Sequence, residues 1–218
     1  MALNEGLPLL EDAVLLHELN HRINNEFASA ISVVSRAAAR SSNNAVKLAL
    51  TNVTELLHRY AEVHRALEVP EPNTTIDVAA YLRHLCLSLI RSKLDHLAID
   101  LVLAACPLRL QSEQCWRVGM IVNELVTNAA RHAFSVRKGR IRIELAQAGL
   151  LVTCKVEDNG VPPQELREGR GLRIVRNLAK ALHGHFEQRY RSRGSVSLLA
   201  FPYGADPSLT ISSRDQNI

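Results

Sequence analysis

Aromatic residues are scarce in this chain of 218 residues: Phe, Tyr and Trp make up 4% of it, with a single tryptophan. The core must then come from Leu, Val, Ile and Ala, which favours helices with some buried strands. Cysteine is sparse as well. Cys86, Cys106, Cys115 and Cys154 form no CxxC pair and lie among apolar neighbours, the pattern of reduced core thiols in a cytoplasmic protein. No run approaches the roughly 18 apolar residues of a membrane span. No basic segment followed by an apolar stretch opens the chain, so neither a signal peptide nor a membrane sensor is expected. An excess of one charge is also lacking. The formal net charge is +4, and Arg36, Arg40, Arg59, Arg137, Lys138 and Arg140 are interspersed with acids. That excludes a lysine- and aromatic-rich nucleic-acid groove, and leaves a mild field suited to nucleotide phosphates or an acidic partner. Nor do the nine histidines bring a ligand set spaced for zinc.

What the chain does have is periodicity. Leu16, Leu19, Ile23, Phe27, Ala30 and Val34 recur at helical spacing and predict a long helix over 7–39. A turn at 41–44 separates it from a second helix carrying Val46, Leu50, Val53, Leu57, Tyr60, His64 and Leu67, with Leu56 and Val63 widening the apolar face. Two such helices form an antiparallel hairpin. Its apolar faces are too broad to bury alone, so two copies are expected to pair as a four-helix bundle in a homodimer. The prolines in 69–74 mark a linker. Beyond it the pattern predicts helix 77–94, strand 97–103, helix 112–134 capped at Ser112, strands 140–147 and 150–157 about an Ala148–Gly149 turn, helix 172–182, and a hairpin of 185–190 with 196–201. The fold class is α+β: a helical hairpin (1–70), a linker (71–75), an α/β sandwich with helices over one face of a mixed sheet (76–203), and a flexible tail (204–218).

The first candidate site is the stretch HELNHRINNEF, 17–27, where an amphipathic helix carries a dense polar face. With Leu16 at zero on a helical wheel, His21 falls near about 140°, Asn25 near about 180° and Glu18 near about 200°, away from the apolar seam. Glu18 and Asn25 are helical neighbours of His21. An imidazole whose one nitrogen is held by a carboxylate or amide offers the other as a nucleophile for phosphorus. Glu18 is the candidate for that hold, and Arg22 could steady phosphate oxygens. A solvated helix face with an incidental histidine is the alternative.

The second candidate site comes in three pieces. In NELVTNAARHAF, 123–134, Glu124, Asn128, Arg131 and His132 share a helical face. A carboxylate and a carboxamide at i, i+4 can hold Mg²⁺ with its water, since that ion takes few protein oxygens plus phosphates, and Arg131 is placed to meet phosphate. In VEDNGVPP, 156–163, Asp158 ends a strand before Gly160; it can accept from an adenine amino group, or simply make an Asx turn. In GRGLRIV, 169–175, Gly169 and Gly171 precede a helix, where backbone N–H groups can meet phosphate. A flexible loop is the alternative, and no Walker loop or full GxGxxG is present.

Taken in order, these pieces resemble the boxes of bacterial histidine kinases. NELVTNA with RHAF is similar to the N box, DNG to the G1 box, GRGLRIV to the G2 box, and ELNHRINN to the phosphoacceptor H box of the HWE subgroup and its close relatives. The likeness spans about residues 10–203. It implies a GHKL-type ATP-binding domain joined to a dimerising phosphotransfer hairpin, with no sensor domain in view: either input comes from a separate sensor protein, or the chain is a sensorless member or a fragment. It also implies His21 as phosphoacceptor, Asn128 as Mg²⁺ ligand with Glu124 supporting the ion or its waters, and Asp158 as adenine reader. Gly160, Gly169 and Gly171 become hinges around the nucleotide, and Arg131, His132 and Leu172 fall within its boxes. Asn24 stands where the subgroup usually has lysine, the tryptophan–glutamate signature is absent, and the lid, 161–168, is short. The expected activity is autophosphorylation of His21 from ATP–Mg²⁺ and transfer to an aspartate of a response regulator. A phosphotransferase adaptor that no longer uses ATP, and a serine kinase of the anti-sigma type, are the competing readings.

Overall fold

A computed structural model of the chain describes residues 7–68, 71, 74–134, 138–162 and 169–204. The proline-marked linker therefore lies largely outside the described residues, as do most of the lid and nearly all of the tail.

Two long helices come first, α1 (Leu7–Arg40) and α2 (Asn44–Ala66). The turn between them is closed by Asn43, whose side chain accepts from Ala45 N at 2.9 Å and Val46 N at 3.4 Å and so satisfies two orphan donors of α2. The helices run antiparallel with Phe27 tilted against His64, ring centroids 6.0 Å apart, and Asn24 donating to Glu68. Only part of each apolar stripe is covered. Ile23, Phe27, Ala30 and Val34 are half-buried, while Leu19, Val33, Val46, Val53, Leu56 and Tyr60 remain exposed.

A short ribbon then pairs β1 (Thr75–Asp77) with β3 (Arg109–Gln111) in antiparallel register, Ile76 opposite Leu110. From this ribbon rise α3 (Val78–Leu89) and α4 (Ser112–His132). Asp77 caps α3 by accepting from Ala80 N at 3.0 Å. The expected cap at Ser112 is not formed. Gln111 holds the cap position with no side-chain bond, and Ser112 is the first residue of α4, its N–H donating to the Thr74 carbonyl at 2.8 Å. The first N–H of α4 is thus satisfied by backbone from the chain just before β1, not by a side-chain cap. The helix predicted to 94 leaves α geometry at Leu89 for a π-helical turn, Ile90–Leu94, and a 3₁₀ turn, Asp95–Leu97. Ala98 then takes a left-handed conformation, so the next strand starts later than the alternation suggested.

That strand, β2 (Ile99–Ala105), lies parallel to β4 (Gly139–Ala148), which continues antiparallel into β5 (Leu151–Asp158), β7 (Ser195–Pro202) and β6 (His185–Tyr190). The β4–β5 turn is Gly149–Leu150, one residue beyond the predicted Ala148–Gly149, because Ala148 still pairs with Leu151 and Gly149 supplies the positive φ, 59°. Helix α5 (Arg170–Ala181) precedes β6.

Period-two alternation sorts the sheet's faces. Ile141, Ile143 and Leu145 of β4, Val152, Cys154 and Val156 of β5, and Leu199 and Phe201 of β7 point inward against α3, α4 and α5 in one continuous core. The opposite face is solvated by a ladder of ion pairs, in which Lys155 Nζ bridges Glu144 at 3.1 Å and Glu157 at 3.8 Å. Lys155 holds the Glu144 carboxyl below its ordinary range. This two-layer arrangement after two N-terminal helices agrees with the sandwich predicted from the sequence. The hairpin joins it through the end of α2, where Val63 and Ala66 enter the common core.

Candidate functional site

On α1, the His21 ring is exposed and points away from α2. Its Nδ1 lies 3.2 Å from Asn25 Nδ2, one helical turn on, so the amide as placed donates to the ring. Glu18, the residue expected to hold the ring, accepts from Arg22 Nε at 2.9 Å, and both side chains of that pair are largely exposed. The hold on His21 that the structure shows is therefore an amide. Asn24, one turn from His21, faces inward to Glu68, and its own carbonyl oxygen is buried without a partner.

The second site is a cavity of about 490 Å³ roofed by α4 and α5 and floored by β5, β7 and β6. Asp158 is the fourth inward residue of β5, after Val152, Cys154 and Val156, so strand alternation alone delivers its carboxylate into the cavity. The carboxylate is 6% exposed and bound by neutral donors. Gly160 N donates to Oδ1 at 2.9 Å; Ser195 N and Ser195 Oγ donate to Oδ2 at 3.2 and 2.5 Å. Val161 N donates to the Ala133 carbonyl at 2.9 Å, and this docks the turn after β5 against the end of α4. Gly160 is required there, because a side chain would run into that same carbonyl.

Helix α4 contributes Leu125, Asn128, Ala129, His132 and Ala133 to the lining, and the start of α5 contributes Gly169, Gly171 and Leu172. Glu124 and Asn128 converge on Gly171: a Cβ there would sit 2.6 Å from Glu124 Oε2 and 3.4 Å from Asn128 Nδ2. A side chain at this position would push the Glu124 carboxylate aside. Gly169 meets no such obstacle and opens α5 in extended conformation. Arg131 is exposed and stands outside the lining. Every other residue singled out in the three pieces of the second site is thus brought to one cleft or its edge.

The arrangement fits a Mg²⁺ nucleotide. One carboxamide and one carboxylate stand beside a glycine-bearing helix start, and a phosphate-bound Mg²⁺ needs few protein oxygens. Asp158 offers a buried acceptor at the floor, as an amino-bearing base requires. Among the described residues no cluster of three or more His, Cys, Asp and Glu could hold a metal by itself.

Sequence reasoning missed Ser195, Ser197, Gln188, Tyr190 and Arg176, which complete the lining. Ser195 and Ser197 alternate inward with Leu199 and Phe201, a signal open to the eye; Gln188 and Tyr190 come in from the next strand, opposite Ser197 and Ser195. Burial raises the Tyr190 phenol above its usual pKa, with the Asp158 charge adding to the rise.

Comparison with known proteins agrees with this geometry. The chain is 26% identical, over 93% of its length, to blue-light-activated histidine kinase 2 of Erythrobacter litoralis, and 27% identical, over 90%, to the sensor histidine kinase PdtaS of Mycobacterium tuberculosis. It spans 61% and 41% of those two relatives. The histidine kinase domain of an E. litoralis blue-light-activated kinase superposes with a TM-score of 0.61 at 22% identity, covering 84% of this chain and 98% of that one. The catalytic domain of the histidine kinase ThkA has a TM-score of 0.51 at 24% identity, covering 59% and 95%. These are likenesses of fold. The family itself is given by two sequence models that meet in the π-helical turn after α3, one described as histidine kinase over residues 18–93 and one as histidine kinase-like ATPase domain over 90–196: the chain belongs to the histidine kinases.

Proposed function

We propose that this protein binds ATP–Mg²⁺ in the cleft between α4 and α5, phosphorylates its own His21, and passes the phosphoryl group to an aspartate of a response-regulator receiver domain. The observation that carries this reading is the pairing of an exposed, amide-held imidazole on α1 with a separate cavity floored by a buried carboxylate. In the first step a ring nitrogen of His21 attacks the terminal phosphorus, the bond to the bridging oxygen breaks, and ADP leaves. In the second, a receiver carboxylate takes the phosphoryl group and restores the imidazole. The covalent partners are His21 in the first step and the receiver carboxylate in the second; positioning and charge stabilisation carry the catalysis.

The residues divide the work. Asn128 and Glu124 would hold Mg²⁺ or its waters, Asp158 would accept from the adenine amino group, and Gly171 would bring backbone N–H groups to phosphate. On α1, the amide of Asn25 selects the ring tautomer. As placed, its Nδ2 donates to Nδ1, which puts the ring proton on Nε2; the amide turned over, its oxygen in place of its nitrogen, would accept from Nδ1–H and leave the lone pair on Nε2, the form we propose attacks. The bare strip on α1 and α2 supports a homodimer through a four-helix bundle. No helix among the described residues is long and apolar enough to cross a membrane, and we place the activity in the cytoplasm. The adaptor reading is disfavoured by the open, fully lined cavity, which a pure phosphate relay does not use.

The test is incubation with γ-labelled ATP and Mg²⁺, comparing wild type with His21→Ala and Asp158→Ala. Acid-labile label is expected on wild type only. Label that persists in His21→Ala moves the acceptor elsewhere, and label stable in acid points to serine.

A further inference from the structure

One cation beside the cleft, Lys93, makes no ion pair within 4 Å among the described residues. Lys93 lies in the π-helical turn that ends α3, and such turns recur where a helix bends to aim a side chain. Its ammonium is half-buried and donates to Thr127 Oγ1 at 2.7 Å and Asn123 Oδ1 at 3.2 Å. Both acceptors are neutral, and among the described residues no carboxylate reaches ion-pair distance of the Lys93 nitrogen. Burial lowers its pKa; the Glu124 charge opposes that fall and Arg131 adds to it. A desolvated ammonium is costly unless an anion meets it.

The surroundings indicate which anion. Asn123 and Thr127 are one turn apart on α4, and Glu124, Asn128 and Arg131 form the adjoining stripe of the same helix. Lys93 therefore stands next to the polar stripe that borders the cleft. The same π turn touches the hairpin: Arg91 lies 3.9 Å from Glu62, and Arg59 Nη1 donates to the Arg91 carbonyl at 3.3 Å. The π turn thus touches α2, the helix that pairs with the one carrying His21, while its Lys93 reaches the stripe of α4 beside which phosphates would be held. A counter-charge is needed along that route, because the terminal phosphate must approach α1 while still fully charged.

We propose that Lys93 is a phosphate-binding residue, whose ammonium supplies the counter-charge to the terminal phosphate of the nucleotide as that group is presented to the hairpin. This rests on the reading that the cleft takes ATP. A lysine that only tethered α3 to α4 would instead affect every ligand alike, since Thr127 and Asn123 need only a donor.

The experiment is calorimetric titration of the full chain with the Mg²⁺ complex of a non-hydrolysable ATP analogue and, separately, with adenosine, for wild type, Lys93→Met and Lys93→Arg. Lys93→Met is expected to weaken the analogue about tenfold or more, the worth of a charged hydrogen bond, and to leave adenosine unchanged. Lys93→Arg keeps most of the affinity. In parallel, acylation of exposed amines on wild type, mapped by mass spectrometry, should show Lys93 protected by the Mg²⁺ analogue and not by adenosine; this arm decides the matter if Lys93→Met does not fold. Unchanged analogue affinity in Lys93→Met, equal losses for analogue and adenosine, or acylation indifferent to the analogue overturns the assignment. A wild type that binds neither ligand removes the ATP reading and this one with it.

Discussion

The indole N–H of Trp116 donates to the carbonyl of Leu67 at 2.9 Å. Trp116 lies in the first turns of α4, and Leu67 is the residue on which α2 ends. One hydrogen bond thus ties the end of the helical hairpin to the helix that carries NELVTNA. Since Trp116 is the only tryptophan, it is also an intrinsic probe of that junction. Trp116→Phe removes the donor and leaves the Leu67 carbonyl unpaired, at a cost of about 1–2 kcal/mol in stability. Chemical denaturation followed by circular dichroism measures it. In wild type, tryptophan emission should shift when the ATP analogue binds; emission that ignores ligand would mean that the junction is insensitive to the cleft.

Ser195 makes the closest contact to Asp158, and no motif in the sequence announced it. Ser195→Ala leaves Asp158 with the N–H groups of Gly160 and Ser195. Losing one hydroxyl should weaken nucleotide binding about fivefold, near 1 kcal/mol. Asp158→Ala should weaken it by about 2–3 kcal/mol, because the base then loses its only charged acceptor on the cavity floor. Titration with a fluorescent ATP analogue ranks the two. Equal losses would show that the hydroxyl, and not the carboxylate, meets the base.

How much of this was legible beforehand depends on the range of the signal. The long helices could be read because α1 and α2 repeat an apolar stripe over many turns, and Asp158 could be placed because it continues the inward series of Val152, Cys154 and Val156. The β1–β3 ribbon could not, since three residues per strand give no alternation to detect. Gln188 and Tyr190 reach the cleft only because β7 is inserted between β5 and β6 in the sheet, and strand order leaves no local trace. Lys93 was hidden for a related reason: its partners lie 30 and 34 residues further along the chain. Glu18 was the reasonable choice to hold His21 by spacing. It was engaged by Arg22, an opposite charge four residues on, and Asn25 supplied the hold that the structure shows.

Val46, Val53, Leu56 and Tyr60 are 42–45% exposed along one side of α2. A second copy of the hairpin would cover them. Val53→Glu combined with Leu56→Glu puts two carboxylates into that seam and should convert a dimer to a monomer, as read by sedimentation velocity. The sandwich domain keeps its core in this variant, so nucleotide affinity should stay within about twofold of wild type. A wild type that sediments as a monomer would remove the bundle.

Burial pushes the thiols of Cys86, Cys115 and Cys154 up to about 12, from 9.0 for a free thiol. A pKa raised in the folded state means that the unfolded chain loses these protons first. Their contribution to stability is therefore complete below pH 9 and falls as pH rises from about 9 toward 12. Urea midpoints should decline across that window, and less steeply in Cys154→Ala. The same burial predicts that iodoacetamide at pH 8 alkylates these three only after unfolding. Rapid native alkylation would show that the core opens far more readily than its packing implies.

Asn25 tests the mechanism most directly, because it touches the ring and nothing in the nucleotide cleft. If its amide oxygen fixes Nδ1–H, then Asn25→Ala frees the ring to exchange tautomers, and part of the population carries its proton on Nε2, the nitrogen that must attack. Phosphorylation of His21 should slow about tenfold, with affinity for the ATP analogue unchanged, since the loss falls on kcat. Asn25→Asp restores an oxygen acceptor at the same reach and should recover most of the rate, though the added charge will lift the pKa of the ring and move the pH–rate profile upward. Asn25→Leu keeps the bulk without the acceptor and should behave as alanine does. The nitrogen signals of His21 in NMR spectra report the tautomer without any turnover: Nδ1–H should dominate in wild type, and the two forms should mix in Asn25→Ala. A slow variant with an unaltered tautomer would assign Asn25 to docking of the cleft or of the receiver domain, and leave His21 to find its reactive form without help.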